Sequence, residues 1–177
     1  MRKRQKLQLM DYNAGNGKMK FYKTIYSVFL VPAAFVIPMN VACATASQTI
    51  LTESDGQKLI HAGEDAAHNL KANICIAVLD QSGLLLSFSR MDNAPIGCIN
   101  SAIEKGRAAV LYRTPTKSYM DRANGKEPAI ATLPGMVPLG GGTPIVVNGQ
   151  VVGAVGVSGS KNENEVNISK ISAESIK

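Results

Sequence analysis

The sequence is poor in histidine, the side chain that most often acts as a general base and commonly binds metals. Only His61 and His68 occur among 177 residues, and both lie in a segment whose apolar and small residues recur at helical spacing. Seven residues apart on a helix, the two imidazoles would share roughly one face at a separation of about 10 Å, too far for one metal ion to bind both. Serine or cysteine chemistry assisted by histidine would depend on these two residues, and their spacing does not support it.

Glycine is plentiful, with 16 residues, but the order that binds a nucleotide is missing. A dinucleotide fingerprint is G-x-G-x-x-G between a strand and a helix, whereas Gly153, Gly156 and Gly159 recur every third residue within or at the end of a predicted strand. The tripeptide Gly-Ser-Lys at 159–161 has neither the order of a phosphate loop nor its following hydroxyl residue. The sequence therefore argues against nucleotide binding.

An excess of positive charge is missing from most of the chain. The net charge of +6 is carried by residues 1–46, which hold seven basic residues and one acidic residue. Residues 47–177 hold 12 basic and 12 acidic residues and are formally neutral. Because a neutral domain offers no electrostatic footprint to a phosphate backbone, we expect no nucleic-acid partner.

The basic residues of the first segment precede an apolar run, IYSVFLVPAAFVIPM, and then a group of small residues. This order is typical of a secretory signal peptide at residues 19–46, cleaved after Ala44 or Ala46, and we interpret residues 1–18 as an upstream extension without structure. The apolar run is short and interrupted by proline, which argues against a membrane span. We therefore expect a periplasmic or secreted protein with no stable membrane insertion after cleavage; an uncleaved N-terminal anchor is the alternative.

Cysteine is scarce, and cleavage of the leader would leave only Cys75 and Cys98. An oxidising compartment permits these two residues to pair. Cys75 falls in a predicted strand and Cys98 in the first turns of a predicted helix, so the sequence does not give their separation. Two buried free thiols are the favoured prediction.

Two β-hairpins are predicted in the body of the chain, residues 47–177. The first places ICIAVLD and LLLSFSRM around a turn in which Gly83 is available for a positive φ. The second turns at Asn148-Gly149, a strong signal for a type I′ turn. It predicts three cross-strand pairs, Val147 with Gln150, Val146 with Val151 and Ile145 with Val152. One face of its second strand is small, which allows a helix, another subunit or a flat ligand to come close; it carries Val152, Ala154, Gly156 and Ser158.

Helices are predicted between and after the hairpins. One carries an apolar stripe expected to face the sheet, formed by Ile96, Ile99, Ile103, Gly106 and Val110. A shorter helix begins at Thr114 or Thr116 and ends at Asn124-Gly125, and prolines predict irregular chain over 126–138. The last helix follows Ser160, with Glu163 and Glu165 complementing its dipole.

Three sequence blocks, AVLDQSGLLLSFSRMDNAP, EKGRAAVLYRTPTKSY and LPGMVPLGGGTPIVVNGQVVGAVGVSGS, resemble in their order the GlcG/HbpS family of haem-binding proteins, which is related to the C-terminal domain of PduO proteins. The resemblance covers residues 54–177. It implies a single α+β domain, with an antiparallel sheet of about five strands flanked by helices. It also implies homo-oligomers and non-covalent binding of b-type haem.

Candidate site residues follow from the resemblance together with the residue types. An imidazole is a common haem ligand, so His61 and His68 are the metal-ligand candidates. Thr114, Thr116 and Tyr119 are further iron-ligand candidates, and Arg90 and Arg113 are candidates for pairing with ligand carboxylates. Met91, Met120 and Met136 are possible soft ligands, although core packing is the favoured role for them. The family often has Gln-Asp-Glu after the last strand, whereas this chain has Glu163, Asn164 and Glu165.

These observations predict an exported haem-binding protein for haem sensing, storage or handling that is not primarily an enzyme. Two alternatives belong to other classes. One is an enzyme that degrades haem or acts on a small organic acid, with Arg90 or Arg113 binding the carboxylate. The other is an accessory module that acts with an exported sensor partner.

Overall fold

The computed structural model describes residues 48–176, so the predicted extension and signal peptide lie outside the described residues. These residues form an α+β domain of four helices and four strands with one short 3-10 helix. In chain order the elements are α1 Glu53–Asn69, β1 Cys75–Asp80, β2 Leu85–Arg90, α2 Cys98–Tyr112, α3 Thr116–Asn124, the 3-10 helix Pro128–Thr132, β3 Gly142–Val147, β4 Gln150–Ser158 and α4 Asn162–Ala173. Within these residues no helix has the length and hydropathy needed to cross a membrane.

The four strands form one antiparallel sheet in the order β2-β1-β4-β3. The two predicted hairpins supply all four strands, so the expectation of about five strands was too high by one. The chain between α3 and β3 adds none, because Pro128, Pro134 and Pro138 have no N–H to donate to a ladder. Part of it forms the 3-10 helix instead.

Helices cover both faces of the sheet. Helices α1 and α4 pack on one face over a core of large aliphatic side chains that includes Leu59, Ile76 and Ile168. Helix α2 packs on the other face over a core of smaller side chains that includes Ala77, Cys98 and Ala102. The Ser172 hydroxyl donates to the Leu59 carbonyl at 2.7 Å, which joins α4 to α1.

The Asn148-Gly149 turn forms as predicted, and both residues have positive φ. Val147 pairs with Gln150 and Val146 with Val151, but Ile145 pairs with Gly153. The third predicted pair was therefore wrong, because a bulge inserts Val152 into β4. Val152 consequently packs with Val155 and Val157 in the core under α1 and α4.

The small face of β4 meets a helix. A Cβ added at Gly156 would overlap the Ala102 carbonyl oxygen, and one added at Gly142 would overlap the Lys105 carbonyl oxygen. The backbone of α2 therefore lies directly on β3 and β4, an approach that only glycine permits. Of the three occupants that a small strand face admits, the helix is the one observed.

This close approach explains why the predicted stripe of α2 was only partly correct: Gly106 and Val110 are buried as predicted, but the three isoleucines are not. Ile96 precedes the helix and is 79% exposed, and Ile99 and Ile103 are only half-buried. The residues that lie against the sheet are mostly small and include Ala102, Gly106 and Ala109. Large aliphatic side chains are displaced to the flanks, because there is no room for them beneath the helix.

Candidate functional site

Cys75 and Cys98 form a disulfide, so the favoured prediction of two free thiols was wrong. Cys75 begins β1 and Cys98 begins α2, and α2 crosses the sheet so closely that the two Cα atoms are 5.5 Å apart. This separation lies in the usual range for a disulfide. Both residues are buried beside Ala94 and Ala102.

A cavity of about 410 Å³ lies beside this disulfide-bonded region; we call it the His68 cavity. Its walls come from the end of α1, the end of β2 and the loop after β2. The lining residues are Glu64, His68, Asn73, Ser89, Arg90, Met91, Asp92 and Asn93. The fold thus brings together His68, Arg90 and Met91, three of the sequence-predicted candidates.

The polar side chains of the His68 cavity differ in whether they form hydrogen bonds or ion pairs within the protein. The Ser89 hydroxyl donates to Glu64 Oε1 at 2.5 Å, which fixes one carboxylate between α1 and β2. His68 and Arg90 are exposed, and neither forms an ion pair with any residue in 48–176. An imidazole and a guanidinium therefore remain available to a ligand.

His61 lies outside the cavity. Its side chain is exposed on α1, and its Nδ1 is 3.7 Å from Glu64 Oε2. The two histidines therefore do not act as equivalent candidates: His68 faces the cavity that Arg90 also lines, whereas His61 faces solvent. Across the described chain no three His, Cys, Asp or Glu side chains cluster closely enough to hold a metal ion.

The remaining candidates lie where α2 meets α3, a region we call the α2–α3 corner. Arg113 ends α2 with φ 49° and lines a separate cavity of about 250 Å³. Thr116 is 1% exposed, and its hydroxyl accepts a hydrogen bond from the Gly142 N–H at 2.9 Å. Thr116 therefore holds the start of β3. Thr114, two residues earlier in the chain, is half-buried.

Tyr119 is part of a small aromatic and basic group on the surface of α3. Its ring centroid is 5.5 Å from that of Tyr112, and the Arg122 guanidinium carbon is 5.5 Å from the Tyr119 centroid. Arg122 also pairs with Glu127 at 2.6 Å, and this hydrogen bond lowers the pKa of the Glu127 carboxyl. Tyr119 is thus flanked by internal contacts and does not line the 250 Å³ cavity that Arg113 lines.

One buried ion pair was not predicted. Lys105 Nζ lies 2.6 Å from Glu165 Oε2, and both residues are almost fully buried between α2 and α4. Glu165 Oε1 accepts hydrogen bonds from the N–H groups of Gly159 and Ser160 at 2.8 and 3.1 Å. Glu165 therefore joins three segments, in addition to lying in the acidic first turn that the sequence suggested. The sequence does contain one indication of this pair. Lys105 is a charged residue among the small residues of α2 that lie against the sheet.

The fold and the site define the class of protein to which this chain belongs. The family model described as "Haem degrading protein HbpS-like" matches residues 51–173, and the chain is a member of that family. Among individual relatives, it is 42% identical to protein GlcG of Escherichia coli K12 over 113 residues, covering 63% of this chain and 84% of GlcG. An uncharacterised 15.0 kDa protein of Citrobacter freundii is 31% identical over 123 residues, covering 65% of this chain and 84% of that protein.

Solved structures share the architecture. A double mutant of HbpS from Streptomyces reticuli superposes with a TM-score of 0.69 at 28% identity, covering 82% of this chain and 99% of HbpS. The PduOC–haem complex superposes with a TM-score of 0.64 at 24% identity, covering 73% of this chain and 96% of PduOC. The second likeness is a likeness of fold.

Proposed function

We propose that this protein binds b-type haem non-covalently at the His68 cavity. The observation that carries the proposal is that His68, Arg90 and Met91 line one cavity, with the imidazole and guanidinium unengaged by other described residues. Membership of the HbpS-like family supports haem as the ligand. The haem complex of PduOC supports it further, because that complex is built on the same fold.

Each candidate residue has a role suited to its chemistry. His68 supplies an imidazole, a common protein ligand of haem iron. Arg90 supplies a guanidinium that can form a charge-assisted pair with a propionate. Met91 is half-buried against the core and supplies apolar surface beside them. Bound haem would supply a redox-active iron centre.

The His68 cavity offers polar groups for the iron and a propionate but little apolar surface for the ring. Its walls are mostly polar, whereas a macrocycle is held by apolar burial worth roughly 25 cal/mol for each Å². We propose that a second copy of the chain covers the ring in a homo-oligomer. Light scattering during hemin titration tests this step: a mass that stays monomeric while hemin binds would contradict it.

A hemin titration tests the site. Purified protein should shift the Soret band at micromolar concentrations, and His68→Ala should weaken binding by about tenfold or more, because the imidazole that would hold the iron is lost. His61→Ala is the matched control, since it removes an imidazole from the same helix outside the cavity. Tyr119→Phe tests the α2–α3 corner. An unshifted Soret band in the unaltered protein would refute haem binding. Loss of binding only in Tyr119→Phe would place the site at the α2–α3 corner instead of the His68 cavity.

Haem degradation is the second candidate function, and the description of the family favours it. Adding a reductant or peroxide to the haem complex separates binding from turnover. A biliverdin-like product with stoichiometric iron release would establish an enzyme. Bleaching of the Soret band without such a product would leave the protein as a binder.

We also propose that the protein is exported. The disulfide between Cys75 and Cys98 supports this localisation, because structural disulfides persist in oxidising compartments. N-terminal sequencing of the protein recovered from the periplasm or medium should find a start after Ala44 or Ala46. Recovery of the full-length chain in the cytoplasm would contradict export. An exported sensor partner stays a prediction, which haem-dependent co-precipitation would test.

A further inference from the structure

One wall of the His68 cavity is a loop with few contacts of its own. Residues 91–97 connect β2 to α2, and Met91, Asp92 and Asn93 line the cavity. Asn93 has φ 63°, and the Ala94 N–H donates to the Met91 carbonyl at 3.1 Å in a single tight turn. Asp92 and Asn93 are exposed, so core packing does not hold them in place.

Both ends of this loop are linked to Cys75, one by strand pairing and the other by the disulfide. At one end Arg90 is the cross-strand partner of Cys75 in the β1–β2 ladder. The Met91 N–H extends that ladder by donating to the Ile74 carbonyl at 3.0 Å. At the other end Cys98 is joined to Cys75 by the disulfide. The disulfide therefore closes the base of the loop.

Helix α2 begins without a side-chain cap. Gly97 occupies the N-cap position and provides no side-chain hydrogen bond, and the first turn contains no acidic residue. Ile96 is exposed and does not anchor the approach to the helix. Without the disulfide, this end of the loop would keep the packing of Ala94 and Cys98 in the small core, the bond from the Cys98 N–H to the Pro95 carbonyl at 2.9 Å and the bond from the Ser158 hydroxyl to the Ser101 hydroxyl at 3.0 Å. None of these links the loop covalently to β1, as the disulfide does.

We infer that the Cys75–Cys98 disulfide positions residues 91–93 at the wall of the His68 cavity, so that affinity for the ligand depends on it. The inference rests on the proposed haem site. A loop held in its binding conformation loses less conformational freedom when the ligand binds, which raises affinity without any new contact. Both cysteines act here as positioning residues, because neither lines the cavity.

Hemin affinity of the Cys75→Ala/Cys98→Ala variant tests the inference in the full-length protein. We expect affinity to fall by about fivefold or more, together with faster hydrogen exchange of amides 92–97 and unchanged exchange in β4. The matched control is Ile168→Ala, which weakens the core on the opposite face of the sheet. It should leave hemin affinity and the exchange of loop 91–97 unchanged at temperatures where the protein stays folded.

Reduction of the unaltered protein provides a second route if the double variant does not fold. A dithiol reductant donates two electrons, the disulfide becomes two thiols with uptake of two protons, and the reductant forms its own cyclic disulfide. After the reductant is removed without air, the reduced protein should show the same lower affinity and local exchange. Equal affinity and exchange in oxidised and reduced protein would overturn the inference.

The outcomes separate this inference from the proposed function. Equal loss of affinity in Ile168→Ala would show a general stability effect and overturn the positioning role. If the unaltered protein binds no hemin, the proposed haem binding is refuted. Hydrogen exchange of amides 92–97 then tests the positioning of the loop alone. Faster exchange of amides 92–97 without the disulfide would support positioning, and unchanged exchange would refute it.

Discussion

The protein holds polar and charged side chains in two contrasting regions. Between α2 and α4, Lys105 and Glu165 are almost fully buried and satisfy one another and nearby backbone groups. At the His68 cavity, His68 and Arg90 are exposed and form no ion pair with other residues in the described range. A buried charge is tolerated only when its partners are present, whereas an exposed one costs little when left unpaired. The first region therefore serves the fold, and the second remains available to a ligand.

The largest expected effect comes from separating α2 from the sheet. Gly156→Val would place a side chain against the Ala102 carbonyl and the Gly106 N–H, both backbone groups that cannot rotate away. We expect a loss of more than about 4 kcal/mol in the free energy of unfolding, measured by urea denaturation. Gly97→Ala is the control, because a Cβ there contacts nothing within 4 Å. A stable Gly156→Val protein would contradict the close packing.

Breaking the interior ion pair should have the next largest effect. Lys105→Met leaves the Glu165 carboxylate buried without its cation and should cost about 3–5 kcal/mol of unfolding free energy. The double variant Lys105→Met/Glu165→Gln removes both charges and keeps an acceptor for Gly159 and Ser160, so it should recover part of that loss. Denaturant unfolding of both variants measures the difference. A double variant less stable than Lys105→Met would show that the pair is not the source of the cost.

A smaller effect is expected at the start of α1, where Thr52 and Asp55 form a capping box. Thr52→Ala should cost about 1 kcal/mol at neutral pH. Hydrogen bonds from Thr52 lower the pKa of Asp55 below its usual 3.8, so this part of the stability is present above 3.8 and is lost as the pH falls through the lowered value. The gap between the two proteins should therefore narrow in acid. Ser118→Ala, an exposed helical position, is the control; a gap independent of pH would contradict the coupling.

The smallest effect on stability is expected in the His68 cavity, where the change should appear in binding. Arg90→Gln should alter the unfolding free energy by less than about 0.5 kcal/mol, because the side chain is exposed. Hemin affinity should fall by about three- to tenfold through loss of the propionate pair. Arg107→Gln removes an exposed arginine that pairs with Glu104 and should leave hemin affinity unchanged. Equal hemin affinities of the unaltered protein, Arg90→Gln and Arg107→Gln would show that Arg90 does not contribute to binding.

Much of the fold was predictable because its signals are local. Asn148-Gly149 specified the second hairpin and two of its three predicted pairs. The bulge at Val152 was not predictable, since alternation along β4 alone does not reveal where the partner strand shifts register. The packing of α2 on the sheet through its small residues depends on Gly142 and Gly156, which lie on other elements. The isoleucine stripe looked like the buried face only because those partners were unknown.

The residue types of the candidate site were predictable from the sequence, but their arrangement in space was not. His68 and Arg90 were both candidates, yet their shared cavity depends on α1 packing beside the end of β2. Thr116 was a ligand candidate by resemblance, and its hydroxyl proves to be engaged by Gly142. Lys105 and Glu165 are 60 residues apart, and the Cys75–Cys98 separation likewise required the three-dimensional crossing of α2 over β1.

The disulfide has a further consequence for how the chain responds to proteases. It encloses the whole β1–β2 hairpin in a covalent ring, because Cys75 and Cys98 are 23 positions apart on either side of it. The turn between these strands is accessible, with Leu84 64% exposed at its end. A single cut in that turn would leave the two fragments joined, so cleaved and intact protein would be distinguished by gel mobility only after reduction. The ring thus lets the wall of the His68 cavity remain attached to β1 even when the peptide chain between them is broken.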